Sequence, residues 1–158
     1  LNKSNVGHEI HLNGWISKSR DLGGLSLYWI SPWIIVSGYF NDGQMVVAPN
    51  WLISFAIFSF GLGVFLHFSS DMQKYVSLKT NPGHLITDGL FKKSRNINYV
   101  GEFLIYLSFA LLSMHWLTIV ILIVFIGIVW IPNMIKKDKS LSRYSEFENY
   151  KSNSRIFL

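Results

Sequence analysis

The sequence contains no cysteine, which excludes disulfide bridges, thiolate catalysis and metal sites built on cysteine ligands. It also lacks an internal repeat, a low-complexity tract and a linker rich in proline, serine and glycine, so a single domain over residues 1–158 is the simplest partition. His8 and His11 stand three residues apart, without the spacing of a zinc-binding HExxH helix. We therefore predict no metal site.

Apolar residues are abundant instead. Half of the 158 residues are hydrophobic, 16% are aromatic and the mean hydropathy is +0.31, which is too apolar for an ordinary soluble domain of this size. Residues 50–70 and 114–135 contain no Asp, Glu, Lys or Arg, and each run is long enough for a helix to cross roughly 30 Å of hydrocarbon. A membrane protein is the first hypothesis.

Two further runs are weaker candidates for spans. Residues 99–113 form a shorter run that contains Glu102, and residues 23–40 are interrupted by Pro32. With both included, the sequence predicts an all-α, polytopic membrane domain with about four transmembrane helices, preceded by a polar lead over residues 1–22.

The basic residues predict the orientation. In chain order the four runs are 23–40, 50–70, 99–113 and 114–135. All 14 Lys and Arg lie before residue 23, between residues 70 and 99, or after residue 135, and the connections 41–49 and 113–115 contain none. Because cytoplasmic loops carry the positive excess, we predict a multi-pass protein with both termini and the loop 69–98 in the cytoplasm. The membrane would be the endoplasmic reticulum in a eukaryote and the inner membrane in a bacterium. Anionic headgroups account for the net charge of +5, so no nucleic-acid partner is predicted.

The C-terminal tail carries a periodic apolar pattern. Leu141, Tyr144, Phe147 and Tyr150 recur three residues apart among charged residues. This spacing favours an interfacial C-terminal helix with its aromatic side chains turned toward lipid.

Few ionisable groups lie at membrane depth, and Glu102 is the foremost of them. On a continuous helix, Arg95, Asn98 and Glu102 would share one face, at spacings of three and seven residues. A carboxylate within a span is costly, so this polar stripe is a candidate binding site; the alternative is a polar cluster that joins two helices.

A second stripe contains His67, Asp71 and either Lys74 or Tyr75 at the end of the preceding run. A carboxylate at a helix C-terminus faces the negative end of the helix dipole. Either the helix therefore continues past Asp71, or Asp71 has a dedicated partner, for which Lys74, Lys79 and Arg95 are candidates. The alternative is an ordinary interfacial ion pair.

Several short motifs occur together in residues 67–158: Ser70-Asp71, Leu78-Lys79, Gly89-Leu90-Phe91, Asn98-Tyr99-Val100-Gly101-Glu102 and Phe147-Glu148-Asn149-Tyr150. They resemble the C-terminal region of the steroid 5α-reductase family (DUF1295-like). The resemblance implies a membrane-embedded oxidoreductase that reduces a C=C bond of a lipid or steroid-like substrate with NADPH. It implies that seven residues approach the cofactor: Asp71, Lys79, Arg95, Asn98, Tyr99, Glu102 and Tyr144. The catalytic residues are unknown, because in that family the groups holding the substrate carbonyl come from helices further upstream.

Two other functions are compatible with the sequence. Gly89-Leu90-Phe91, together with Arg95 and the Asn98-Tyr99-Val100-Gly101 segment, is similar to motifs of membrane methyltransferases that use S-adenosylmethionine on isoprenylcysteine or phospholipids. The Glu-Glu pair of those enzymes is replaced here by Lys137-Asp138. A non-catalytic or truncated membrane module is the remaining alternative.

Overall fold

The computed structural model describes residues 47–157, which form helices joined by turns, with no β-strand among them. The elements are α1 (Asn50–Thr80), a 3₁₀ turn (Gly89–Phe91), α2 (Ile97–Leu112), α3 (Trp116–Phe125), a π-helical segment (Ile126–Trp130), α4 (Ile131–Leu141) and α5 (Phe147–Asn153). The π-helical segment joins α3 to α4 as one continuous helix. The predicted polar lead and the predicted span at 23–40 lie outside the described residues.

Among residues 47–157, two helices are long and apolar enough to cross a membrane. These are α1, with 31 residues and a hydropathy of 1.9, and the continuous helix Trp116–Leu141, with 26 residues and a hydropathy of 2.5. Only 22% of the residues in each most apolar window are buried, and large side chains such as Trp51 and Phe58 are exposed. Such outward apolar faces suit lipid. The helix α2 is apolar but has only 16 residues, so the count of four spans is not confirmed.

The apolar run 50–70 is part of a helix that extends well beyond the run. The helix α1 begins at Asn50 and continues through polar residues to Thr80, ten residues past the end of the run. No proline interrupts it before Pro82, and Gly83 in the following turn has a φ of +84°. At 1.5 Å per residue α1 is about 46 Å long. The connection to α2 is correspondingly shorter than the predicted loop 69–98.

Backbones of α1 and α2 approach each other closely at two glycines. A Cβ atom on Gly63 would lie 2.7 Å from the Gly101 carbonyl oxygen, and one on Gly101 would lie 2.5 Å from the backbone nitrogen of His67. Nearby, the Ser59 hydroxyl donates to the Leu104 carbonyl at 3.1 Å. Small residues at such a crossing permit tight van der Waals packing between apolar helices. Gly63 thus lies at this crossing, whereas a Cβ atom on Gly61 would meet nothing within 4 Å.

The tail aromatics do not turn toward lipid. Phe147 is 2% exposed and packs with Leu85 and Tyr150, and Leu141 and Tyr144 pack against the same cluster. The spacing placed these side chains on one side of the tail as predicted, but that side covers the connection between α1 and α2. The tail is also two helices, α4 and α5, separated by a turn at 142–146.

Candidate functional site

The end of the chain is fixed against the segment that precedes α2. The Arg95 backbone N–H donates to the Arg155 carbonyl at 2.9 Å, and the Arg155 N–H donates to the Lys93 carbonyl at 2.8 Å. The Asn96 side chain, which is fully buried, donates to the Ile156 carbonyl at 2.8 Å. Residues 93–96 and 154–157 therefore hold each other in register.

Arg95 is the centre of this contact. Its side chain is 6% exposed, and its guanidinium contacts both carboxylate oxygens of Asp138, with Nε 3.1 Å from Oδ1 and Nη2 3.0 Å from Oδ2. The Nη1 group donates to the Ser154 carbonyl at 2.6 Å. Because α2 begins at Ile97, Arg95 precedes the helix, and its side chain joins α4 to the tail rather than extending the polar stripe of α2.

A cavity of about 240 Å³ lies beside Arg95. Residues from the end of α1, the following connection, α4 and the tail line it, and four of them are basic: Lys74, Arg95, Lys137 and Arg143. No Asp or Glu of the described chain is among the lining residues. Since Asp138 neutralises Arg95, the net positive charge of the cavity comes from the other three side chains.

The Lys137 ammonium is held in place by two hydrogen bonds. It donates to the Arg95 carbonyl at 2.7 Å and to Asn96 Oδ1 at 3.0 Å. An ammonium has three donors, so these contacts use two of them. Arg143, also at the cavity, donates to the Tyr144 hydroxyl at 3.2 Å. The arrangement provides preformed positive charge for an anion.

Tyr150 forms part of the cavity wall and links it to the 3₁₀ turn. Its hydroxyl donates to the Phe91 carbonyl at 2.6 Å. Burial raises the pKa of Tyr150 to about 12, so the hydroxyl stays protonated and keeps its donor at physiological pH.

A second polar group, the His67 cluster, consists of His67, Asp71, Asn98 and Glu102. His67 Nε2 lies 3.8 Å from Asp71 Oδ2, and Nδ1 lies 4.0 Å from Glu102 Oε1 and 3.3 Å from the Asn98 carbonyl oxygen. Asn98 Oδ1 is buried and has no hydrogen-bond partner within the described part of the chain. Asp71 thus sits in a helix that continues past it, and the side chain beside its carboxylate is His67, which was not among its predicted partners.

The two groups are adjacent along the chain. Asp71 of the cluster and Lys74 of the cavity are three residues apart on α1, and Asn98 follows Arg95 by three residues. The region is thus divided into a basic cavity and a neighbouring group rich in carboxylates.

A family model described as "Protein of unknown function (DUF1295)" matches residues 22–155. The chain belongs to the DUF1295 family. The family predicted from the motifs is therefore confirmed, whereas the relation to steroid 5α-reductases and the methyltransferase architecture remain predictions. No curated protein matches the chain, and neither does any solved structure.

In this DUF1295 chain, five of the seven predicted cofactor residues fall into the two groups described above. Arg95 and Tyr144 line the cavity, and Asp71, Asn98 and Glu102 belong to the His67 cluster. The structure does not bring all five around one point.

The other two predicted residues lie in neither group. Lys79 is exposed in the last turn of α1, with its ammonium 5.7 Å from the centre of the Tyr75 ring. Tyr99 packs against Trp130, with their ring centres 5.4 Å apart. Their predicted contact with a cofactor stays a prediction.

Three residues that organise the cavity and the neighbouring 3₁₀ turn were not predicted from the sequence. Lys137 and Asp138 stood out only as departures from a methyltransferase motif, although a charged pair directly after an apolar run was a usable signal. Gln73 donates to the Asp88 carbonyl and accepts from the Leu90 N–H, both at 3.0 Å, and so holds the 3₁₀ turn against α1. A single glutamine on a polar helix face gave no such indication.

Proposed function

We propose that the protein is a multi-pass membrane enzyme that binds NADPH from the cytoplasm and reduces a C=C bond of a lipid or steroid-like substrate. The observation that carries the proposal is the cavity lined by Lys74, Lys137 and Arg143 without a carboxylate. NADPH carries several phosphate charges, and lysine and arginine are the side chains that bind phosphate.

The residues present fit part of such a cofactor. Ligand pockets usually measure about 300–1,000 Å³, so a cavity of about 240 Å³ suits one phosphate-bearing portion rather than a whole dinucleotide. The buried Asn98 Oδ1 is an acceptor that lacks a donor in the described residues, and a carboxamide or ribose hydroxyl can supply one.

When bound, NADPH supplies the hydride, and the protein supplies binding, orientation and protons. Reduction of a C=C bond consumes one hydride and one proton. The His67 imidazole lies between the half-exposed Asp71 carboxylate and the less exposed Glu102 carboxylate. His67 is therefore placed to hold a proton at Nδ1 or Nε2 between bulk water and the interior.

The runner-up is a methyltransferase that uses S-adenosylmethionine. This cofactor has a sulfonium cation and no phosphate, so the basic cavity does not suit it. The observation in its favour is the pair of carboxylates around His67, which suits a cationic group.

Thermal shifts in detergent separate the two, because a ligand that binds only the folded state raises the melting temperature. We expect NADPH to raise the melting temperature of the wild-type protein and S-adenosylmethionine to leave it unchanged. Lys137→Met should remove the NADPH shift, since it deletes a fixed cation of the cavity.

The control is Lys136→Met, which removes the exposed lysine next to Lys137 that does not line the cavity, and it should keep the shift. Stabilisation by S-adenosylmethionine but not by NADPH would contradict the reductase proposal. If neither cofactor stabilises the protein, the non-catalytic module is favoured.

A further inference from the structure

The outer side of α1 stays apolar past the end of the run 50–70. Large apolar side chains on this side are exposed on both sides of that boundary: Phe65, Phe68, Met72, Tyr75 and Val76. Their spacing of three, four, three and one residues puts them on one face of the helix. We call this surface the outer stripe of α1.

The other side of the same turns faces the protein. Ser70 is fully buried, Gln73 holds the 3₁₀ turn, and Lys74 lines the basic cavity. The polar side chains of these turns therefore lie toward the protein and the large apolar ones lie away from it. A helix on the surface of a soluble protein has the opposite division, with its apolar side toward the core. The outer stripe thus suits an apolar surrounding rather than water.

Tyr75 and Lys79 form a pair that is typical of a membrane interface. The Tyr75 ring is exposed, and the Lys79 ammonium, one turn further along α1, lies 5.7 Å from its centre. Tyrosine and tryptophan are enriched where hydrocarbon meets the headgroups. A lysine near a helix end can bury its aliphatic stem and keep its ammonium at the polar surface.

The length of α1 fits an interface at Tyr75. Trp51, near the start of the helix, is also exposed. At 1.5 Å per residue, Tyr75 lies about 36 Å beyond Trp51 along the helix axis. A hydrocarbon core of about 30 Å with an aromatic ring at each headgroup level fits this separation.

Lipid is a better partner for the outer stripe than a second copy of the chain. Helices that associate within a membrane do so through small residues, which let their backbones approach. All five members of the stripe are large. The stripe also continues the outward apolar face of the run 50–70, which itself suits lipid.

We propose that phospholipid of the membrane surface binds the outer stripe of α1 as far as Val76, with acyl chains against Phe68 and Met72 and with headgroups around Tyr75 and Lys79. The membrane boundary on this side of α1 then lies about 7.5 Å past the end of the run 50–70. Because Lys74 lies on the other side of the same turns, the basic cavity is at headgroup level. The inference depends on membrane insertion of α1 and is independent of the reductase proposal.

The test uses the absence of cysteine, which allows one nitroxide label at a chosen position of the full chain. The labelled protein is reconstituted in phosphatidylcholine vesicles. Its depth is measured from collisions of the label with oxygen, which is concentrated in hydrocarbon, and with a water-soluble nickel chelate. Labels on Phe68→Cys, Met72→Cys and Tyr75→Cys should be accessible to oxygen and shielded from nickel. The label at Tyr75 should lie about 10 Å shallower than the label at Phe68.

The matched control is Lys74→Cys, which lies between Met72 and Tyr75 in sequence but on the cavity side, and its label should be accessible to nickel. Nickel access at Met72 and Tyr75 equal to that at Lys74 would show water around the stripe and overturn the proposal. Spin–spin broadening at Met72 that disappears on dilution with unlabelled protein would place a second copy there and would also overturn it. A label on Phe58→Cys, an exposed position within the run, measures insertion itself, and nickel access there would remove the basis of the proposal.

Folding of the labelled variants is checked by their helical circular dichroism. Met72 and Val76 are both exposed, so a label at either position should be tolerated. If Met72→Cys loses its helical signal, Val76→Cys is the second position on the stripe. Nickel access at Val76 equal to that at Lys74 would then contradict the proposal.

Discussion

Different interactions stabilise the apolar end and the polar end of the described structure. Where α1 crosses α2, backbones meet at Gly63 and Gly101, and the Ser59 hydroxyl donates to the Leu104 carbonyl nearby. At the polar end, the Arg95 guanidinium joins α4 to the tail through charged hydrogen bonds to Asp138 and Ser154. Lipid offers apolar helices no hydrophobic gain on association, so shape must hold them, whereas at the polar end buried charges must be paired.

The largest effect is expected at the polar end. Arg95→Met removes the partner of the partly buried Asp138 carboxylate and should destabilise the protein by about 3 kcal/mol, because a partly buried charge then lacks its partner. Thermal or denaturant unfolding in detergent measures the loss. The double variant Arg95→Met/Asp138→Leu should recover much of it, since both charges are then absent. A double variant no more stable than the single one would show that Arg95 acts mainly through the tail carbonyls.

The second-largest loss of stability is expected at the apolar end. Gly101→Ala places a methyl group 2.5 Å from a backbone nitrogen that cannot move independently, and we expect a loss of about 1–3 kcal/mol in the same unfolding assay. Gly61→Ala is the control, because a Cβ there meets nothing within 4 Å. Equal stability of the two variants would mean that the helix crossing is looser than described.

The smallest effect concerns the junction between the tail and the 3₁₀ turn. Tyr150→Phe keeps the packing with Phe147 but removes the donor to the Phe91 carbonyl, and it should cost about 1 kcal/mol. Tyr75→Phe, at an exposed ring on α1, should cost nothing measurable in unfolding experiments. A loss in Tyr75→Phe as large as that in Tyr150→Phe would assign the effect to tyrosine solvation instead.

The sequence predicted best those features that depend on neighbouring residues. Apolar runs marked α1 and the helix starting at Trp116, because hydropathy acts locally.

Features that depend on distant residues were harder to predict. A three-residue period put Tyr144 and Phe147 on one side of the tail, but it could not show that Leu85 would cover that side. Arg95 was assigned to the α2 stripe because nothing local marks Ile97 as the helix start. Its real partners, Asp138 and Ser154, are more than 40 residues away in sequence. The basic cavity was for this reason only partly predictable.

The π-helical segment Ile126–Trp130 determines how the charged turn of α4 meets the rest of the molecule. A π turn inserts one extra residue into a helix, and each residue of an α-helix turns the chain by about 100°. The segment therefore rotates everything after it relative to the apolar residues before it. After this rotation, Lys137 and Asp138 lie on the side of α4 that faces Arg95, and both contact it. An irregular turn deep in the apolar helix thus decides which side of α4 presents its charges to the cavity.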